Sequence, residues 1–350
     1  MTRGLHDKIG PMTAAQLTLS PLSHLSPRLI GVDFSSRPSP RKPITLASGQ
    51  WLGHRGTVLQ LQGALRFNTL EAFGAWLQQP GPWVGGFDLP FGLPRELVQQ
   101  LGWPTDWPAC MDHYATLDRP TIRNTFAAFC AARPVGGKFA HRACDGPAGS
   151  SPSMKWVNPP VAYMLHAGVP LLRAAGVHLP AHLPAHLPAH LPARLPAHLP
   201  ARLPAHPPAH PPAQFSARPS TLLPVHPLAH SPAQDAARGD HDRTALEAYP
   251  GLLARELIGS RSYKSDDKAK QTADRLIARK NLVEALEQGR SRLGLRLKLS
   301  AAQRDALADD ASGDALDAVL CLVQAAWAAQ QPGWGLPAGI DPLEGWIVSA

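Results

Sequence analysis

The sequence predicts an α/β fold, a sheet flanked by helices, interrupted by a long Pro/His-rich insert. Short apolar runs of strand length, some ending in an acid, alternate with segments whose apolar residues recur at helical spacing. Proline is the second observation: it supplies 38 of 350 residues, about twice the usual share. Eleven of these prolines lie in one tract, HLPAHLPAHLPAHLPARLPAHLPARLPAHPPAHPPA, residues 178–213. Outside the tract the composition is that of an ordinary folded domain, so a collagen-like or wholly disordered chain is excluded.

Residues 1–27, rich in Pro, Ser and Thr, show no sustained period and read as a disordered tail. Order begins at Arg28. The run 29–34 (LIGVDF) is apolar and ends near an acid, and Ser35-Ser36-Arg37-Pro38 breaks it, so it reads as a buried strand and its turn. Residues 44–47 and 57–61 read as two hairpin-connected strands. Residues 70–79 have helical spacing, and Pro80 and Gly81 end them. A fourth strand, 83–88, again ends in an acid. The rigid turn 90–94 leads into a helix at 95–101. Helices are expected at 121–132 and 161–175, with a loop between them carrying Lys138, His141, Arg142, Asp145 and Lys155.

The expected organisation is one domain in two parts, 28–177 and 241–350, separated by the insert 178–240. Proline at every fourth position forbids an α-helix there, and a period of four keeps no face of a three-fold polyproline helix aligned. A flexible, extended spacer is the expectation, since nothing fixes its histidines as metal ligands. After it, 244–249 reads as a strand and Pro250 suits the first turn of a helix at 251–258. Residues 264–289 carry many charges at helical spacing, 313–329 is an almost wholly apolar helix, and 335–350 is irregular.

Charge and cysteine usage bound the function. Lys and Arg number 34 against 26 Asp and Glu, a net charge of +8 that suits a polyanionic partner. Cys110, Cys130, Cys144 and Cys321 include no CxxC pair, so neither a zinc ribbon nor a redox motif is indicated. The apolar stretch 315–329 is interrupted by Asp317 and Gln324 and is too short to span a bilayer. The expectation is a cytoplasmic protein with no membrane association.

The chemistry-bearing signal is a set of acids on separated apolar segments. Asp33, Asp88 and Glu247 are each carried by a separate apolar segment, and Asp314 and Asp317 lie on one face of the late helix at i, i+3 spacing. That face continues through Ala318, Cys321 and Ala325, small residues suited to packing on a sheet, so the two acids are expected to point inward. Each acid alone has an ordinary role available, such as a turn cap or a first-turn acid. Gathered together and ionised they repel and lose hydration, which divalent cations offset. Mg²⁺ or Mn²⁺ prefers such oxygen ligands. Two ions about 3.5–4 Å apart support phosphodiester cleavage, with Asp33 the expected bridging ligand.

The segments GVDFSS, GFDLPFGLP, LEAYPG, Tyr263-Lys264, GDALDAVLCLVQA and PLEGWI resemble the bacterial family called domain of unknown function 429. That resemblance runs from Arg28 to Ile347, excluding the repeat. It implies a ribonuclease H-like mixed sheet flanked by helices, and a nuclease in which Asp33, Asp88, Asp314 and Asp317 hold the metals. Glu247 matches the family's Glu-x-Tyr-Pro motif and is carried as a further catalytic candidate. Lys264 is the expected substrate contact, with Lys138 and Arg142 as further nucleic-acid-binding candidates for DNA or RNA. A nucleotide-dependent phosphotransferase and a non-catalytic nucleic-acid-binding protein are the alternatives; the first lacks evident glycine-rich phosphate loops. Protein partners are not indicated.

Overall fold

The computed structural model describes residues 27–53, 56–183 and 243–350. The expected tail up to residue 26, and the insert from residue 184 to 242, lie outside the described residues. The rest forms a mixed six-stranded sheet flanked by helices. Its strands are β1 (Arg28–Asp33), β2 (Ile44–Trp51), β3 (Val58–Phe67), β4 (Trp83–Asp88), β5 (Arg243–Glu247) and β6 (Arg296–Lys298), in the spatial order β5-β4-β1-β2-β3-β6. Only β2 runs antiparallel to its neighbours; β4 and β5 join β1 in parallel, and β6 pairs in parallel with the start of β3.

Strand alternation sorts side chains onto two faces. Ile30, Val32, Phe87 and Ala245 face one core, covered by α1 (Leu70–Leu77), α2 (Arg95–Gln100), α3 (Trp107–Thr116), α4 (Arg119–Ala131) and α6 (Val161–Ala174). The single turn α5 (Asp145–Ala148) stands apart in a small cluster with Ile347. Leu29, Val84 and Leu246 face the second core with α7 (Pro250–Ile258), α8 (Ala273–Gln288), α9 (Ala301–Asp309) and α10 (Asp314–Ala328). Side chains of Thr69, Asp106, Asp118 and Ser300 accept backbone N–H bonds at the starts of α1, α3, α4 and α9.

Several elements escape the sequence reading in whole or in part, among them α3, α5, α9, β6 and the second half of β3. In α3, Pro108 sits in the first turn, where its missing N–H has no partner to lose. β6 is three residues long, too short to show a period. β3 extends to Phe67 through Gly63, a residue that reads as punctuation.

The expected insert boundary also needs correction. His178 pairs with Thr244 beside β5, and Leu179 and His182 are buried, so the first tetrapeptide of the repeat belongs to the folded part. The His182 ring lies 4.6 Å from the Trp107 ring, and its Nδ1 lies 2.7 Å from the Pro342 carbonyl oxygen. Burial, seconded by the positive charge of Arg142, lowers its pKa to about 3 against the opposing Pro342 hydrogen bond. The fold therefore holds His182 neutral. Its contribution is complete above the ordinary value of 6.5 and is lost as the pH falls toward the folded value. His182→Phe keeps a ring but cannot titrate. Its melting temperature is expected to fall less steeply than the wild type's between about pH 6.5 and pH 4; equal slopes in thermal melts would refute this.

Candidate metal centre

Two glycines set the geometry. Gly31 of β1 and Gly86 of β4 are register partners on the face that α10 covers. A Cβ built on Gly31 would stand 2.1 Å from the Ala318 oxygen and the Leu322 nitrogen. One on Gly86 would stand 2.4 Å from the Cys321 oxygen. The helix backbone therefore rests directly on the strand backbones, an approach only glycine permits. Two residues further along each strand, on the same face, are Asp33 and Asp88, themselves register partners. The helix runs antiparallel to β1, so its first turn, with Asp314 and Asp317, comes down over these strand ends.

The result is a compact trio. One carboxylate oxygen from each of Asp33, Asp88 and Asp317 lies within 4.8 Å of the others. Asp33 and Asp317 are buried and Asp88 is partly buried. Burial, then the charge of Asp317, pushes the Asp33 carboxyl well above the usual range, against the pull of Lys264. Burial likewise pushes Asp88 up to about 7, with Asp317 and Glu247 adding to it and Lys264 opposing. A trio of carboxylate oxygens in this arrangement can hold a metal ion.

Asp314 is next to the trio but not in it. It is buried, and its Oδ1 accepts a 2.6 Å hydrogen bond from Lys42 Nζ. Lys42 also reaches Asp266 at 3.1 Å. Its ammonium is stabilised by Asp33 and Asp314 although burial works against the charge. Asp317 is engaged at both oxygens: the Tyr263 hydroxyl donates to Oδ1 and the Lys264 ammonium donates to Oδ2.

Three expected site residues sit elsewhere. Glu247 is the register partner of Phe87, so strand alternation turns it to the opposite face from Asp88. There Oε1 accepts from Arg142 at 2.6 Å, and Oε2 accepts from Arg142 at 2.7 Å and from the Phe91 N–H at 3.0 Å. Arg142, expected on a nucleic-acid surface, is thus a buried cation shared between Glu247 and Asp145. Lys138 is exposed on the loop after α4, and among the described residues no hydrogen bond or ion pair joins it to the trio.

Removing the Arg142 charge would leave the buried carboxylates of Glu247 and Asp145 without their counter-charge. Arg142→Met is expected to destabilise the protein by about 3 kcal/mol in denaturant titration, and adding Glu247→Gln to restore part of the loss. An Arg142→Met variant within about 0.5 kcal/mol of wild type would refute this role.

Lys42 and the glycine pair are functional elements that sequence reasoning missed. The glycines had a signal: each stands inside an apolar strand run two residues before an acid, where an isolated glycine marks close backbone approach. Lys42 lies in a turn and carried none. A depression of about 790 Å³, lined by Arg28, Trp51 and Trp83, lies at the opposite end of the sheet, at the starts of β1 and β4 and the end of β2, and excludes the trio. No described helix is long and apolar enough to cross a membrane. No protein-family model, curated protein or solved structure matches the chain.

Proposed function

We propose that this chain is a metal-dependent nuclease with a ribonuclease H-like core, hydrolysing phosphodiester bonds of DNA or RNA with Mg²⁺ or Mn²⁺. The observation that carries the reading is the convergence of Asp33, Asp88 and Asp317, far apart in sequence, to within 4.8 Å. The donors are all carboxylate oxygens, the set that hard divalent cations prefer. Charge supports the same reading. The carboxylates of Asp33, Asp88, Asp314 and Asp317 outnumber the two ammonium groups set against them, Lys42 and Lys264. The layout agrees with the family resemblance: an antiparallel β1–β3 run, then α1, then β4 parallel to β1, and an acid-bearing helix across that face.

When bound, such a cation activates water for attack on phosphorus and stabilises the leaving oxygen. The chain's own residues hold and surround it. Asp33, Asp88 and Asp317 are the ligands, and Asp314 orients Lys42 at the rim. Lys264, with its side chain 42% exposed, reaches from solvent into the site and offers a positive charge to a phosphate. Arg37 and Arg41, exposed on the turn after Asp33, extend a basic rim suited to sequence-independent backbone contacts.

The test is cleavage of labelled single-stranded and duplex DNA and RNA by the purified protein. Cleavage is expected with MgCl₂ or MnCl₂ and absent with chelator or in Asp33→Asn. ATP hydrolysis without cleavage of any oligonucleotide would replace the nuclease reading with phosphoryl transfer.

A further inference from the structure

Lys264 stands where a cation would act. Its ammonium donates to Asp317, and its charge is also felt by Asp33 and Asp88, so one lysine serves as counter-charge to the whole trio. A metal ion and this ammonium therefore compete for the same oxygens.

The segment is built so that only the side chain of Lys264 is free to yield. On one side, the Tyr263 carbonyl accepts a 2.8 Å hydrogen bond from the buried Arg279. On the other, the Ser265 N–H donates to the Ala311 carbonyl at 3.1 Å. The Tyr263 hydroxyl stays on Asp317 Oδ1 and can keep that carboxylate oriented when Oδ2 is released. The lysine stem passes beside Gly313, where an added Cβ would stand 2.7 Å from the Lys264 Cβ. Its partial exposure leaves a route outward for the ammonium.

We propose that Lys264 is a resident surrogate cation: a divalent metal displaces it from the trio, and the freed ammonium becomes a ligand for a substrate phosphate. This rests on the metal-dependent reading of the site. Metal binding then creates a phosphate-binding group, and linkage requires that phosphate binding strengthen metal binding by the same factor.

The experiment uses Mn²⁺ alone, by calorimetric titration, and a fluorescein-labelled phosphorothioate oligothymidylate, by anisotropy with and without Mn²⁺. Lys264→Met keeps the stem and removes the charge. It is expected to bind Mn²⁺ at least about tenfold tighter than wild type, because the competing ammonium is gone. In wild type Mn²⁺ is expected to strengthen oligonucleotide binding, and in Lys264→Met that gain disappears. Lys264→Arg keeps a competing cation and should hold Mn²⁺ affinity within about threefold of wild type, controlling for loss of packing. Unchanged or weaker Mn²⁺ binding by Lys264→Met, while wild type binds Mn²⁺, overturns the surrogate role and leaves the nuclease reading standing. Absence of Mn²⁺ binding to wild type overturns both.

Discussion

Asp33→Asn is expected to cut metal-dependent cleavage more than ~100-fold and, in the same protein, to raise the melting temperature of the metal-free form at neutral pH. The loss exceeds the 10–100-fold typical of an outer partner of a metal ligand, because on the proposed reading Asp33 is itself a ligand in the trio. The gain follows from electrostatics. Burial and then the charges of Asp317, Asp88 and Asp314 resist ionisation of Asp33. Asp88 is held up to about 7 for the same reason, burial first. A carboxyl whose folded value is raised favours the fold when protonated. That contribution is complete below its ordinary value of 3.8 and is lost as the pH climbs through about 7.

The metal-free wild type therefore carries a destabilising charge cluster at pH 8, on the order of 1–3 kcal/mol after allowance for the lysines and for solvent reaching Asp88. Asn in place of Asp33 removes a buried carboxyl whose ionisation its surroundings oppose. Thermal melts in chelator at pH 8 should place Asp33→Asn above wild type, with the difference shrinking toward pH 4. Adding Mn²⁺ should raise the wild type and leave the variant unmoved. A variant that melts lower than wild type in chelator at pH 8 would show that Asp33 is a structural acid satisfied by Lys42 and Lys264.

Gly31→Val is expected to abolish the fold rather than the chemistry alone. Ordinary overpacking moves side chains and costs about 1–3 kcal/mol. Here the obstructing atoms are backbone: the Ala318 oxygen and the Leu322 nitrogen, each 2.1 Å from a Cβ at this position. No rotamer change relieves that contact. α10 has to lift from the sheet, opening a core built on Leu316, Leu320 and Val323. We expect more than about 5 kcal/mol of destabilisation, seen as insoluble protein or loss of a cooperative melt. Gly63 is the control, since an added Cβ there meets nothing within 4 Å. Gly63→Ala should melt within about 2 °C of wild type. A folded Gly31→Val would mean that the helix does not rest on the β1 backbone. The position of Asp317 would then need another cause.

Much of the fold was legible in the pattern of residues. Apolar runs ending in acids marked β1 and β4 because a buried strand has to exclude charge until it reaches an end. Small residues at Ala318, Cys321 and Ala325 marked the face of α10 that meets the sheet. The acids of the trio were legible for the same reason, since each sits at the edge of a segment that otherwise rejects charge. Arg142 and Glu247 were misplaced because their chemistry suits a surface or a metal as well as it suits a buried ion pair. Only the strand register turns Glu247 away from Asp88 and toward Arg142.

The sequence by itself determined most of the strands and helices, the small-residue seam of α10 and the acids that folding brings together, because those depend on local periodicity and on where charge is tolerated. The tertiary structure alone decided which acids share a centre and which cations stand against them. Lys42 and Asp314 are 272 residues apart in the chain. No local pattern relates such positions; they meet because the β1–β2 turn and the start of α10 are carried to the same end of one sheet.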